Sequence, residues 1–225
     1  MKRSFTPEIM DDFSIRDKRI DAALKELKTI NRFLGGNAAT LKGTGEILES
    51  SLTNKSIRIL DAGSGASDIM LPVGQHNSLI SIVCLDINSR ACLYASQHSP
   101  GLKSVCGNAF AMPFKPGKFD LVHASLFLHH FTSDEIKKIL TGFLETARYG
   151  IVINDLRRSV PAFLGIKILT SLFSRSQMVK NDAPLSVRRG FVKKELVEIL
   201  NEMKISRYKI KRKWAFRWLV IVYKN

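Results

Sequence analysis

The sequence predicts an α/β fold: a seven-stranded, mostly parallel sheet with helices on both faces, an antiparallel last strand and an amino-terminal helical cap. Three observations carry this. Short apolar runs at 57–61, 79–86, 103–106, 119–125 and 149–154 alternate with helical segments, the pattern of strands buried on both faces. The first run ends in a glycine-rich turn, ILDAGSGASD (59–68), where a strand hands over to a helix. The carboxyl-terminal stretch holds two further extended runs, ISRYKIKRKW and AFRWLVIVYK.

Taken in order, residues 17–34 set Ile20, Ala23, Leu24, Leu27, Ile30 and Leu34 at the three-and-four spacing of an amphipathic helix. Gly35 and Gly36 stop it as a left-handed cap would. A second helix is expected from Asn37 to about Ser51, and a short one after the glycine turn, from Ser67. Helices follow over 89–98 and 133–147, the latter opened by Ser133 with Asp134 and Glu135. Beyond Asp155, VPAFLGIKILTSLFS (160–174) predicts a strongly apolar helix, RSQMVKNDAPLSVRRG a loop, and 192–203 a helix. The apolar AFRWLVIVYK run is expected inside the sheet as the antiparallel strand. The lysine-rich run is then at the edge, where charge discourages edge-to-edge pairing. Residues 1–52 are expected to form the helical cap over a binding site, and 53–225 the main domain, with 160–190 a lid-like insertion.

At 225 residues, 45% hydrophobic and 24% charged, the chain is sized and composed for one core. It shows no signal pattern behind its first residues and no run of about 20 apolar residues, which predicts a cytoplasmic protein. Cys84, Cys92 and Cys106 have no metal-ligand spacing and read as reduced thiols. The net charge is +15. Residues 157–225 hold 17 basic and 4 acidic side chains, so nearly all of the excess lies there. Such a face suits nucleic acid, an anionic membrane or an acidic substrate, or is simply solvated.

The glycine turn decides what kind of ligand the domain takes. A dinucleotide fingerprint G-x-G-x-x-G would put its third glycine at position 68, but Asp68 stands there and would repel a pyrophosphate. D-x-G-x-G-x-G fits better, with Asp61, Gly63, Ser64 and Gly65 in place and Ser67 in the last glycine position. A carboxylate beside the turn calls for a cationic ligand without phosphates, and S-adenosylmethionine has an ammonium and a sulfonium. Asp86 ends the apolar run LISIVCLD, where its oxygens can accept from ribose hydroxyls. Asn108 and Ala109, in CGNAFAMPF, are placed to meet the adenine edge, with Ile87, Phe110 and Met112 against its faces.

In that order, ILDAGSGAS, VCLDIN, GNAFAMPF and FDLVHASLFLHHF resemble the motifs of class I S-adenosylmethionine-dependent methyltransferases, closest to a small ubiquinone/menaquinone-biosynthesis-like group. The resemblance implies a Rossmann-like sheet and S-adenosylmethionine as cofactor. It assigns Asp61, Gly63 and Gly65 to the methionine portion, Asp86 to the ribose, and Asn108 and Ala109 to the adenine. Ser125 would lie beside the sulfonium. Ser67 and Asn108 depart from the glycine and aspartate common in the family. The stretch from Asn154 to Phe191 is similar to bacterial methyltransferases of phenolic, quinone-type or polyketide products.

For an oxygen acceptor, a base must remove a proton as the methyl group moves in line. His129 and His130, in LFLHHF, are the candidates. On a helix neighbours diverge by about 100°, so one of them is expected to face the pocket. Asp155 is the candidate to orient it, and Asn154 could bind a polar acceptor group. His123 reads as a core histidine, and Arg157 and Arg158 as holders of an acidic group or solvated surface. No metal is expected, because adjacent histidines without carboxylates make poor zinc geometry. The expected function is methyl transfer to a small, largely apolar acceptor bearing a phenolic, quinone-type or polyketide hydroxyl, with peripheral contact to anionic membrane possible. RNA methylation is the rival, weakened by the absence of an Asn/Asp-Pro-Pro-aromatic turn and of a Pro-Cys nucleophile; a non-catalytic S-adenosylmethionine-binding protein is a third reading.

Overall fold

The computed structural model describes residues 1–224 except 16, 50–55, 77 and 100. The expected boundary between residues 52 and 53 lies outside the described residues. Seven strands form one sheet: β1 (Ile57–Ala62), β2 (Ile80–Asp86), β3 (Lys103–Cys106), β4 (Phe119–Ser125), β5 (Ala147–Leu156), β6 (Tyr208–Lys213) and β7 (Arg217–Tyr223). Their order is β3-β2-β1-β4-β5-β7-β6. The five strands β1–β5 run parallel, and β7 pairs antiparallel with both β5 and β6. The chain leaves β1 toward β2 and β4 toward β5, so the carboxyl ends of β1 and β4 flank a crevice at the switch point of the sheet.

Helices α1 (Lys18–Phe33), α2 (Gly36–Leu48), α3 (Leu71–His76), α4 (Ser89–His98), α5 (Ser133–Thr146), α6 (Val160–Phe173), α7 (Gln177–Arg189) and α8 (Lys193–Glu202) cover it. On one face Ile136, Ile139, Leu140 and Phe143 of α5 and Leu196, Ile199 and Leu200 of α8 pack on Leu60, Val122, Ile151 and Val220. On the other, Ile47 and Leu48 of α2 and Val73 of α3 pack on Ile59, Ile82, Leu121 and Leu219. Thr132 caps α5, one residue before the expected start, in a capping box with Glu135. Gly35 takes the left-handed turn (φ 72°) between α1 and α2, close enough to Trp214 that a Cβ would overlap its carbonyl oxygen.

The stretch expected as a loop at 175–190 is instead α7. Ser176 caps it, accepting from the Val179 amide, and the neighbours Met178 and Val179 are buried together with Val187 about two turns on. Pro184 hid the helix from the sequence pattern. Met178 and Val179 join Ile20, Ala23 and Leu24 of α1 and Ala91 of α4 in a third apolar cluster. The 1–52 region therefore divides: residues 1–12 and α1 lie over the carboxyl edge of the sheet, while α2 covers the sheet itself.

Arg158, read from the sequence as an acid-binding or surface residue, is buried and bridges Glu195 at 2.6 Å and the Gly190 carbonyl at 2.7 Å. Lys209 and Lys211 of β6 both pair with Glu46 of α2. Part of the basic excess of the last third is thus spent inside the fold. Among the described residues no helix is long and apolar enough to cross a membrane.

Candidate active site

The loops leaving β1, β2, β4 and β5, roofed by α1, α6, α7 and residues 5–13, enclose a cavity of about 960 Å³. At one end is the glycine turn. Gly63 (φ 64°), Gly65 (φ 52°) and Ser67 (φ 54°) all adopt the left-handed region. This accounts for a glycine being favoured at position 67. A serine there carries a strain of about 1–2 kcal/mol, offset by its Oγ donating to Asp61 Oδ2 at 2.7 Å.

Gly63 and Gly65 are not equivalent. A Cβ on Gly63 would come 2.1 Å from the Phe127 ring, whereas one on Gly65 would meet only Leu24 at 3.6 Å. Gly63→Ala is expected to destabilise the protein by about 2–4 kcal/mol, combining backbone strain with overpacking. Gly65→Ala should cost about half that or less. Thermal unfolding of the two variants checks the ranking.

Gly63, Ser64, Gly65, Asp86, Ile87, Asn108, Ala109 and Ser125 all line the cavity, as do His129 and His130. Asp61 does not. It lies beneath the turn, 3% exposed, with His123 Nδ1 2.7 Å from its other carboxylate oxygen. His123 Nε2 contacts Thr40 of α2 at 3.0 Å. Asp61 is thus held under the turn by Ser67 and His123, and His123 belongs to that buried network.

Asp68, a few residues along from Asp61, does line the cavity. Its Oδ2 is buried with no hydrogen-bond partner among the described residues. Burial, reinforced by the nearby Asp61 charge, pushes its pKa up to about 6. Asp86 is held from both sides, with Oδ2 accepting from the Gly65 amide and Oδ1 from the Asn88 amide, each at 2.8 Å. Burial raises its pKa too. Asn108 Oδ1 accepts from the Phe110 amide at 2.9 Å, which leaves its amide nitrogen for a ligand. Ser125 Oγ donates to the Asn154 carbonyl at 3.2 Å. Asn154 itself is fully buried, bonding Gly36 and Thr40 of α2, and is not placed to bind an acceptor. Buried Arg217 lines the cavity on hydrogen bonds to Leu34, Asn31 and Asn154. No carboxylate pairs with it among the described residues. Sequence reading missed it, because an arginine inside an apolar strand pattern carries no local signal of its neighbours.

His129 and His130 sit on a 3-10 turn (Leu128–His130) after β4. Both face the cavity, with ring centroids 4.3 Å apart and planes tilted by 32°, where a helix would have turned one away. Each ring is held at Nδ1 by a carboxylate, His129 by Asp155 at 2.7 Å and His130 by Asp11 at 2.7 Å. Asp155 also accepts from the Leu128 amide at 2.9 Å, which fixes the turn on β5. Glu8 completes the group, with Oε1 3.6 Å from His129 Nε2. Burial works against a charged His129, but Asp155 and Glu8 outweigh it and raise its pKa to about 9. Glu8, Asp11 and the segment carrying them are tied down by α7. Asp182 accepts from the Ile9 and Met10 amides, Ser186 donates to Glu8 at 2.8 Å, and Arg189 pairs with Asp11 at 2.6 Å.

Residues 59–150 match the family model of a methyltransferase domain, and the sheet order, glycine turn and acid ending β2 resemble those of class I S-adenosylmethionine-dependent methyltransferases. An uncharacterized methyltransferase of Synechocystis is 29% identical over 113 residues, 49% of this chain and 52% of the relative. The chain thus spans about half the length of that curated relative. The solved plantazolicin methyltransferase, in complex with a triazolic desmethylPZN analog and S-adenosylhomocysteine, superposes with a TM-score of 0.72 at 14% identity, over 95% of this chain and 93% of that one. Human N-acetylserotonin methyltransferase with S-adenosylmethionine gives 0.67 at 15%, over 100% and 63%.

The cofactor of this class fits what the cavity offers. A cation is wanted at the unpartnered oxygen of Asp68, hydroxyls can donate to Asp86, and no cluster of phosphate-binding groups lines the turn among the described residues.

Proposed function

We propose that the chain is a methyltransferase that moves the methyl group of S-adenosylmethionine to a hydroxyl of a small, largely apolar acceptor. The observation that supports it most is that one cavity carries two kinds of lining. Asp68, Asp86 and the glycine turn supply polar groups, which make the cofactor end of this reading. Phe5, Phe13, Ile166, Leu169 and Phe216 supply apolar walls to the same cavity and, with the histidine pair, make its acceptor end. A volume of about 960 Å³ is at the top of the range for a single ligand pocket, in keeping with two molecules side by side.

At the polar end, Asp68 takes the ammonium of the methionine portion and Arg217 its carboxylate, while Asp86 accepts from the ribose hydroxyls and Asn108 meets the adenine edge. Ile87 and Phe110, each more than 40% exposed toward the cavity, pack on the adenine faces. Bound there, the cofactor supplies an electrophilic methyl group on a sulfonium. The chain's own work is alignment and proton handling. Ser125 at the end of β4 lies where the two ends meet, and His129, His130 and Asp155 serve the acceptor oxygen. Residues 5–13, α6 and α7 exclude water from the reacting atoms.

The test is to incubate the purified protein with methyl-labelled S-adenosylmethionine and an extract of the source cells, then to separate organic-soluble products from total RNA. Label is expected in the organic layer. Label in RNA would overturn the proposal and make the basic surface of the last third the substrate platform.

A further inference from the structure

The sequence offered no carboxylate beside the two histidines; the fold brings one from the opposite end of the chain. One ligand atom from each of Glu8, His129 and His130 lies within 4.8 Å of the other two. His129 is 3% exposed, and its Nε2 is buried with no hydrogen-bond partner among the described residues. Asp155 at Nδ1 aims that nitrogen at Glu8, and Asp11 at Nδ1 of His130 leaves the second Nε2 for a ligand. An imidazole gripped by a carboxylate at one nitrogen, with the other turned to a shared point, is the arrangement by which proteins fix metal-ligating histidines. Both imidazoles are gripped in this way, and the free nitrogen of His129 stands 3.6 Å from Glu8.

Three carboxylates, Glu8, Asp11 and Asp155, surround the imidazole pair, and Arg189 pairs with Asp11 at 2.6 Å and stands 3.9 Å from Glu8. A metal ion would take the place of the proton that these carboxylates favour on His129. All three ligands line the cavity, so a coordination position would open onto the acceptor end. Two imidazoles and one carboxylate with an open position select borderline divalent metals such as zinc or iron(II) over calcium or magnesium. In a tetrahedral site with bonds near 2.0–2.1 Å the ligand atoms stand about 3.4 Å apart. From separations of at most 4.8 Å the ligand atoms would close by about 1.4 Å or less, within the reach of side-chain rotation.

We propose that Glu8, His129 and His130 form a binding site for one divalent transition-metal ion at the acceptor end of the cavity. The consequence for the reaction rests on the methyl-transfer reading above. An acceptor hydroxyl gives up its proton to bulk water as it enters from solvent and takes the open position, and its oxygen forms the new C–O bond. The S–CH3 bond breaks with its electron pair left on sulfur, which becomes a neutral thioether.

The test uses the full chain, stripped with a chelator, dialysed and titrated with Co²⁺ as a visible reporter. A d–d absorption band saturating at one equivalent and displaced by Zn²⁺ is expected. It should be lost in Glu8→Gln and in His130→Ala and kept in Asp86→Ala. Circular dichroism identifies any variant that fails to fold, and either ligand variant alone suffices. Absence of binding by the folded protein, or a band unchanged in both ligand variants, would overturn the proposal. Label transfer is measured in parallel, with chelator present and with Zn²⁺ restored. Transfer that is unaffected by chelator, without a Co²⁺ band, removes the metal and leaves methyl transfer standing. A Co²⁺ band without transfer under any condition does the reverse.

Discussion

Asp86→Ala is expected to weaken S-adenosylmethionine binding by about a hundredfold, read by calorimetry on the purified protein. Hydrogen bonds to a charged group contribute about 1.5–3 kcal/mol each, and the ribose offers two hydroxyls to this one carboxylate. The loss of about 3 kcal/mol corresponds to a factor near 100. The structure adds a second effect. The same oxygens accept from the Gly65 and Asn88 amides, so the glycine turn and the start of α4 both lose an anchor. The melting temperature of the cofactor-free variant should therefore fall as well. Affinity measured well below that temperature separates the two losses. Unchanged affinity would remove Asp86 from the cofactor site.

The sheet was legible because strands buried on both faces write near-continuous apolar runs, and the register of β1 to β5 follows those runs within a residue or two at most ends. α1, α4, α5 and α8 were legible from spacing and caps. α7 was not, since Pro184 and a polar outer face masked buried Met178, Val179 and Val187. In the site, Asp86 and the cavity-facing glycines followed from their positions at strand ends. Asp61 lies off the cavity for a reason no motif states. His123, five residues into the neighbouring strand β4, reaches across and takes Asp61 into the core, and Asp68 lines the cavity at the glycine turn. Glu8, Asp11 and Arg217 were beyond reach because their partners are tens to more than a hundred residues away in sequence. Only the fold sets them side by side. The histidine pair shows the same limit in small compass. Helical geometry predicts divergence, but the 3-10 turn and the two carboxylates at Nδ1 make the rings converge.

Asp68→Asn is expected to lower cofactor affinity by about 30- to 100-fold at pH 7.5 and, in the same protein without cofactor, to raise the melting temperature. The two effects have one cause. Burial lifts the carboxyl from its usual 3.8 to about 6, so in the empty cavity the charged form is unfavourable at neutral pH. The sign follows from which state holds the proton. Because the folded pKa is the higher one, the stability this group contributes is present below 3.8 and is lost as pH rises through about 6. At pH 7.5 the cofactor-free protein thus carries a deficit of up to about 3 kcal/mol, from roughly two pKa units at 1.36 kcal/mol each. A neutral asparagine of the same shape removes it. An ammonium docked against the unpartnered Oδ2 cancels the same deficit when the cofactor binds, which is how the strain is turned into affinity. Affinity of the unaltered protein should then be flat above pH 7 and fall about tenfold per pH unit below 6, being about tenfold weaker at pH 5 than at pH 7. The asparagine variant should show no such step. If its binding keeps the same pH dependence, or if its cofactor-free form melts no higher than the original, Asp68 is not the ammonium's partner and a different group must neutralise it.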